Sequence, residues 1–220
     1  MPSPVSNKRP LLLGHRGARA VRSIPENTIQ SFERALADGC EGFEFDVRLT
    51  ADGEAVICHD PRFGGIEIAQ ASGAQLPELP RLDDVLRRFH EQAFLDIELK
   101  VGGLERLTVS LLRKYPPASG VVVSSFLPEV LRTVRIEDAS IPLGLICETV
   151  EEFRAWRSVS LEYVIPHLRL LNAERMAEWK NAGKKSLVWT VNDRKGIVRC
   201  RDMGVDGIIS DDAALLSRTL

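Results

Sequence analysis

The chain has 220 residues, 44% of them hydrophobic, which is enough to bury a full core within a single domain. Its 29 lysines and arginines nearly balance 31 aspartates and glutamates, so the formal net charge is −2 and no strong overall field favours nucleic acid or an anionic membrane surface. The sequence contains no run of about 18 apolar residues, so no membrane span is predicted.

The N-terminal segment and the cysteines point to the compartment in which the protein works. Residues 1–10 read as a polar, proline-bearing tail without the apolar core of a signal peptide, and residues 11–220 are predicted to form one domain. The four cysteines are scattered, contain no Cys-x-x-Cys pair and match neither a disulfide framework nor a zinc site. We therefore expect buried thiols in a reducing, cytoplasmic location, with no stable membrane insertion. The cysteines are Cys40, Cys58, Cys147 and Cys200.

Short apolar runs alternate along the chain with segments of helical spacing. The first run, residues 11–13, predicts a strand buried on both faces. A helix follows, for which a capping box beginning at Ser23 or a cap at Asn27 marks the start and Gly39 marks the end. Most later strands also precede a helix, and the tail after residue 210 is short. These strands are predicted at Gly42–Leu49, Phe94–Leu99 and residues 121–123, 142–146, 163–165, 186–191 and 206–210.

A small insertion follows the second strand. Residues 50–53 read as a hairpin turn and lead into a returning strand that delivers His59. Residues 61–80 are rich in glycine, proline and alanine and have no clear period. We predict that they form a loop lying over whatever site the strand ends create.

The alternation of strands and helices predicts the fold. It implies a parallel sheet with right-handed crossovers, and eight such units in a chain of 220 residues suit an α/β fold of the compact (β/α)8 TIM-barrel type, with a small hairpin/loop insertion after strand 2. A doubly wound open sheet is the rival. It would place Gly-x-Gly-x-x-Gly after the first strand, where this sequence reads Gly14-His15-Arg16-Gly17.

Paired acidic side chains on the second strand predict a cation site. Glu44 and Asp46 lie two residues apart, so both project from the same face of the strand. Two neighbouring carboxylates repel each other and are costly to bury unpaired. A hard divalent cation such as Mg²⁺ or Ca²⁺, which takes oxygen ligands, is the simplest partner. Glu98 and Lys100 repeat the two-residue spacing on the third strand.

The barrel interpretation brings other polar residues to the same place. Active sites of such barrels lie at the C-terminal ends of the strands. His15 ends the first strand and Trp189 lies late in the seventh, so we expect both to face the mouth that holds the acidic residues.

Several spaced motifs resemble those of the glycerophosphodiester phosphodiesterase family, and the resemblance covers nearly the whole chain. It implies a (β/α)8 barrel and a metal-dependent cleavage of glycerophosphodiesters to sn-glycerol 3-phosphate and an alcohol. The motifs are His15-Arg16-Gly17, Pro25-Glu26-Asn27-Thr28, Glu44-Phe45-Asp46-Val47, the turn Thr50-Ala51-Asp52-Gly53, His59-Asp60, Asp96-Ile97-Glu98-Leu99-Lys100, Trp189-Thr190-Val191-Asn192 and the stretch from Gly204 to Asp211.

The same resemblance implies a role for each of eight residues. It implies carboxylate ligands for one divalent cation (Mg²⁺ or Ca²⁺), an acid–base pair of histidines, two phosphate-binding cations and an aromatic wall for the glycerol. The substrate would be a small phosphodiester, and no oligomeric state is implied. In that order the residues are Glu44, Asp46 and Glu98; His15 and His59; Arg16 and Lys100; and Trp189.

One departure from the family concerns the insertion. After the His-Asp motif the family has a leucine and then Arg-Thr-Thr within a longer cover, whereas this chain reads Pro61-Arg62-Phe63-Gly64-Gly65. A shorter, glycine-bearing cover would admit bulkier groups, so a lysophospholipase D-like enzyme acting on lysophospholipids is the alternative function. A non-enzymatic phosphate-binding barrel is a third hypothesis, which the presence of all three acids and both histidines disfavours.

Overall fold

A computed structural model of the protein describes residues 9–220, except for the side chain of Phe153, so most of the predicted tail (residues 1–8) lies outside the described residues. The strands are β1 (Leu11–His15), β2 (Gly42–Leu49), β3 (Ala55–Ile57), β4 (Arg62–Phe63), β5 (Ile66–Glu67), β6 (Phe94–Leu99), β7 (Val121–Ser125), β8 (Leu143–Cys147), β9 (Tyr163–Pro166), β10 (Lys185–Val188) and β11 (Gly207–Ser210). The helices are α1 (Ile29–Ala37), α2 (Leu82–Phe89), α3 (Glu105–Lys114), α4 (Pro128–Glu137), α5 (Val150–Arg154), α6 (Ala173–Asn181), α7 (Arg194–Met203) and α8 (Ala213–Thr219).

Eight parallel strands form a closed barrel with helices between them, which confirms the predicted fold. The strands follow one another in chain order around the barrel, and β1 pairs with both β2 and β11, so the parallel sheet has no open edge. In the register of β2 with β6, Glu44 lies opposite Asp96 and Asp46 lies opposite Glu98. The register of β1 with β2 places His15 opposite Glu44. The barrel therefore brings the acidic residues and the first histidine together.

Successive side chains of β2 point alternately to the apolar core outside the barrel and to the polar interior of the barrel. Phe43 and Phe45 are fully buried and pack outside the barrel against Phe32 of α1, and the rings of Phe32 and Phe43 stack with their centroids 4.3 Å apart. Burying an aromatic side chain of this kind contributes about 1.5–3 kcal/mol. Glu44 and Asp46, which alternate with these phenylalanines, are directed into the barrel because successive side chains of a strand point to opposite faces.

The insertion after β2 has more regular structure than the sequence predicts. β3 runs antiparallel to β2, and β4 and β5 form a two-stranded hairpin. Residues 61–80 pack on β3 through a small apolar cluster, and none of them lines the central cavity of the barrel, so the predicted loop over the site lies beside it instead. The cluster comprises Val56, Cys58, Ile68, Ala71, Leu76 and Leu79.

Two details at helix ends differ from the predictions. Helix α1 begins after Thr28, whose hydroxyl accepts a hydrogen bond from Ser31 N, so neither Ser23 nor Asn27 is its cap. Asn27 has a positive φ of 58° and its side chain bonds Asp46 instead, which removes it from the helix. The short tail contains α8, which Asp212 caps by accepting from Leu215 N.

Among the described helices, none is long and apolar enough to cross a membrane.

Candidate active site

Three buried carboxylates, two on β2 and one on β6, meet inside the barrel. Glu44, Asp46 and Glu98 each offer one oxygen, and these oxygens all lie within 4.8 Å of one another. Glu44 Oε1 is buried without a hydrogen-bond partner, which leaves an acceptor directed into the cluster. An oxygen-only donor set with an unsatisfied buried acceptor fits a hard divalent cation such as Mg²⁺ or Ca²⁺.

The three carboxyl groups differ in how easily they ionise. Burial, reinforced by the nearby charges of Asp46 and Glu98, raises the pKa of Glu44 well above its usual range. Burial and the charge of Asp46 raise the pKa of Glu98 to about 7. Burial also opposes the ionisation of Asp46, but the cationic Lys100 and Arg16 outweigh it and lower the pKa of that group.

Two cations lie against this cluster. Arg16 Nε is 3.1 Å from Asp46 Oδ2, and the backbone N–H of Arg16 donates to Glu44 Oε2 at 3.0 Å. Lys100 Nζ lies 2.6 Å from Glu98 Oε1 and 3.3 Å from Asp46 Oδ1. The charges of Glu98 and Asp46 raise the pKa of Lys100 despite its burial, so the ammonium stays protonated at neutral pH. Both cations are placed where an anion would meet them.

The two histidines reach the site from different elements, and each contacts a carboxylate through Nδ1. His15 Nδ1 is 2.6 Å from Asp211 Oδ1, and its Nε2 is 3.8 Å from Glu44 Oε2. His59 Nδ1 is 2.7 Å from Asp60 Oδ1, and burial lowers the pKa of His59. Because Nδ1 of each imidazole contacts a carboxylate, Nε2 is the ring nitrogen that remains available for proton transfer.

A cavity of about 210 Å³ joins these groups. The polar residues that line it are His15, His59, Arg16 and Lys100, together with the acidic Glu44, Asp96, Glu98 and Glu148. The opposite wall is apolar and is formed by Phe126, Ile146, Ile165, Trp189 and Ile209.

Trp189 is held rigidly in the apolar wall. Its indole N–H donates to the carbonyl of Ile165 at 3.0 Å, and its ring meets that of Phe126 edge to face with the centroids 5.7 Å apart. The structure thus places all eight predicted residues at one mouth of the barrel, with Asp46 beneath Arg16 and Lys100.

Sequence reasoning missed several polar groups that hold the site. Asn27 donates to Asp46 Oδ2 at 2.8 Å, and Glu26 accepts from Arg16 Nη1 at 2.7 Å. Asp211 contacts His15 and is itself bonded by Asn192. All four residues occur in the motifs that carried the family resemblance, which was the available signal, but their partners lie far away in sequence.

The model of the glycerophosphoryl diester phosphodiesterase family matches residues 15–95 and 65–215 of this chain. The chain belongs to that family. A glycerophosphodiester phosphodiesterase of Caldanaerobacter subterraneus subsp. tengcongensis is 29% identical over 94% of this chain and 96% of its own length. The protein is therefore an enzyme of the glycerophosphodiester phosphodiesterase class, a phosphoric diester hydrolase, as its motifs predict.

Solved structures of this family share the barrel. A glycerophosphodiester phosphodiesterase from Parabacteroides distasonis is 25% identical, with a TM-score of 0.83 and 96% of each chain covered. A phosphodiesterase from Oleispira antarctica, solved in complex with the product sn-glycerol-3-phosphate, is 24% identical, also with a TM-score of 0.83 and 96% of each chain covered. The second likeness shows the fold alone.

Proposed function

We propose that the protein hydrolyses glycerophosphodiesters to sn-glycerol 3-phosphate and an alcohol, using one Mg²⁺ or Ca²⁺ ion and two histidines. The observation that carries this proposal is that His15 and His59 line the same cavity as Glu44 and Glu98. Two imidazoles that can transfer protons and a cluster of carboxylates that can bind a cation thus meet in one cavity. The product bound to the Oleispira antarctica relative supports the same choice of product.

The carboxylates Glu44, Asp46 and Glu98 would hold the metal ion, which when bound stabilises negative charge on a phosphodiester and lowers the pKa of an attacking hydroxyl. Arg16 and Lys100 would bind the remaining phosphate oxygens. Arginine offers a planar fork of donors and lysine a compact point charge, so together they orient the anion and offset its charge.

His15 and His59 would carry the protons. One imidazole takes a proton from the attacking hydroxyl, and the other, protonated at the outset, gives a proton to the leaving alcohol. The resemblance to the family favours attack by the substrate's own glycerol hydroxyl, which forms a cyclic phosphate that water then opens. Such general acid–base catalysis typically contributes about 10²–10⁴-fold in rate.

The apolar wall would bind the carbon skeleton of the glycerol. Trp189 presents its ring to the cavity while its only polar atom is satisfied by the Ile165 carbonyl, so the exposed part of the side chain is apolar. Binding one face of the substrate against Trp189 would direct the phosphate towards Arg16 and Lys100.

The experiment that tests the proposal is release of sn-glycerol 3-phosphate from glycerophosphocholine with Mg²⁺, with Ca²⁺ and with excess chelator. We expect release with at least one metal and none with chelator. Lysophosphatidylcholine is assayed in parallel, with choline release as the readout. Release from lysophosphatidylcholine alone would replace the proposal by the lysophospholipase D-like alternative, and release from neither substrate would refute both.

A further inference from the structure

The carboxylate of Asp211 occupies a place that the sheet itself determines. Gly14 of β1 pairs with Ser210, the last residue of β11, so His15 ends one strand and Asp211 directly follows its parallel neighbour. The two residues are 196 positions apart in sequence, yet Asp211 Oδ1 lies 2.6 Å from His15 Nδ1. The pairing of β1 with β11, which closes the barrel, therefore brings the two residues together.

The carboxylate is held from several sides. Asn192 Nδ2 donates to Asp211 Oδ2 at 2.6 Å, and Asn192 Oδ1 accepts from the backbone N–H of Asp211 at 2.9 Å. Arg19 Nη1 lies 3.3 Å from both carboxylate oxygens. These contacts leave Oδ1 directed at the imidazole and prevent the side chain from turning away.

The second histidine has a weaker arrangement of the same kind. Asp60 follows His59 directly in the chain, and its side chain is 73% exposed, compared with 18% for Asp211. An exposed carboxylate on a neighbouring residue competes with water for its contact and restricts the ring less. The molecule thus contains a matched pair of histidine–carboxylate contacts, one supported and one not.

We propose that Asp211 is a positioning residue for His15, holding the proton of the neutral imidazole on Nδ1 so that Nε2 faces the cavity as the proton acceptor. A carboxylate can only accept at Nδ1, which selects one of the two tautomers and fixes the plane of the ring. His15 Nε2 is consequently directed towards Glu44, at the edge of the predicted cation site. The inference rests on the proposed function, in which His15 belongs to the acid–base pair.

The sharpest variant is Asp211→Asn, because its neighbours determine how the new amide lies. Asn192 Nδ2 donates to Oδ2, so it retains the amide oxygen on that side and turns the amide nitrogen towards His15. An N–H group facing Nδ1 requires that nitrogen to accept, which moves the proton of the neutral ring to Nε2. Asp60→Asn is the matched control at the other histidine.

The experiment combines kinetics at saturating metal with nitrogen NMR of the imidazoles at pH 8. In Asp211→Asn we expect kcat to fall about 10–100-fold, as for other residues that orient a catalytic group, with KM within about threefold. We expect the His15 resonances to change from the Nδ1–H to the Nε2–H form. Asp60→Asn should lower kcat by less than about tenfold.

A merely structural role of Asp211 would leave the tautomer of His15 unchanged, and that result, or a kcat within threefold of the wild-type value, would overturn the proposal. If Asp211→Asn does not fold, Asn192→Ala keeps the carboxylate and removes its support. Its His15 resonances should then show mixed tautomers, and a pure Nδ1–H form would count against the proposal. The NMR readout needs no turnover, so it tests the contact even if the wild-type enzyme does not cleave a glycerophosphodiester.

Discussion

Lys100 Nζ lies 2.6 Å from Glu98 Oε1, an ion pair between a residue near the end of β6 and the residue that follows the strand. The same ammonium is 3.3 Å from Asp46 Oδ1, so one cation of the chain offsets charge on two of the three clustered carboxylates. Glu44 has no such partner for Oε1. Glu44 is therefore the carboxylate of the cluster whose burial is least compensated.

Replacing Glu44 with glutamine should change stability in opposite directions with and without metal. With chelator, Glu44→Gln should unfold at the same temperature as the wild type or higher, because a buried carboxyl with like-charged neighbours is lost. With Mg²⁺ or Ca²⁺ at about 100 times its Kd, the wild type should gain about 2.7 kcal/mol, roughly 5–10 °C in Tm for a chain of this size. The variant should gain little. Calorimetry checks both, and Glu129→Gln on the exposed face of α4 is the control.

Removing either cavity histidine should abolish turnover while the fold persists. We expect His15→Ala and His59→Ala each to lower kcat by at least about 10²-fold, because each deletes one partner of an acid–base pair. His90→Ala is the matched control, since His90 ends α2 away from the cavity and bonds the carbonyl of Pro116. Release of sn-glycerol 3-phosphate measures the effect and circular dichroism confirms folding. Normal activity in either cavity variant would refute the site assignment.

Asp211 should contribute stability that depends on pH. Burial opposes its ionisation, but the hydrogen bond with His15 and the charge of Arg19 outweigh burial and lower the pKa of Asp211 to about 2. A carboxyl whose pKa falls on folding stabilises the protein above its unfolded pKa of about 3.9, and the effect disappears as pH falls through the folded value.

The wild type should therefore be more stable than Asp211→Asn by on the order of 2 kcal/mol at pH 7, and the difference should shrink between pH 4 and pH 2. Urea unfolding at pH 7, 4, 3 and 2.5 measures it. A difference that stays constant down to pH 2.5 would show that the ionised carboxylate is not what stabilises the fold.

The cysteines should be unreactive in the folded protein. All four are buried and free, and burial raises the pKa of the Cys40, Cys147 and Cys200 thiols to about 12. Thiolate is the reactive form, so an aromatic disulfide reagent at pH 8 should modify none of these three thiols over an hour, and all four cysteines should react in urea. Rapid modification of any of the three without denaturant would contradict the core packing. Cys58, beside His59, is expected to be the first to react.

Local pattern was sufficient to predict much of the barrel and the residues at its mouth. Alternation along β2 put Glu44 and Asp46 on one face, and the strand–helix repeat brought them next to Glu98, because parallel strands align their C-terminal ends. The residues that support the site were less accessible to such reasoning. Nothing in the sequence around Asp211 indicates that its carboxylate meets His15, since that contact exists only when β1 and β11 pair.

Helix α1 and the insertion show a second limit. Ser23 and Glu26 have the spacing of a capping box, yet Glu26 binds Arg16 and Arg19, so a tertiary ion pair overrides the local signal. Residues 61–80 lack any period, but they bury apolar side chains such as Ile68 and Leu76 against Val56. Short irregular segments obtain their structure from such contacts, which periodicity does not report.

The pairing of β1 with β11 also affects when a newly made chain becomes competent. A nascent polypeptide that has left the ribosome only as far as α7 already contains the three clustered carboxylates, both cavity histidines and the two cations beside them. It still lacks the strand that completes one side of β1 and the carboxylate that contacts His15. A chain that stops before β11 would therefore leave one edge of β1 unpaired and His15 Nδ1 without its carboxylate.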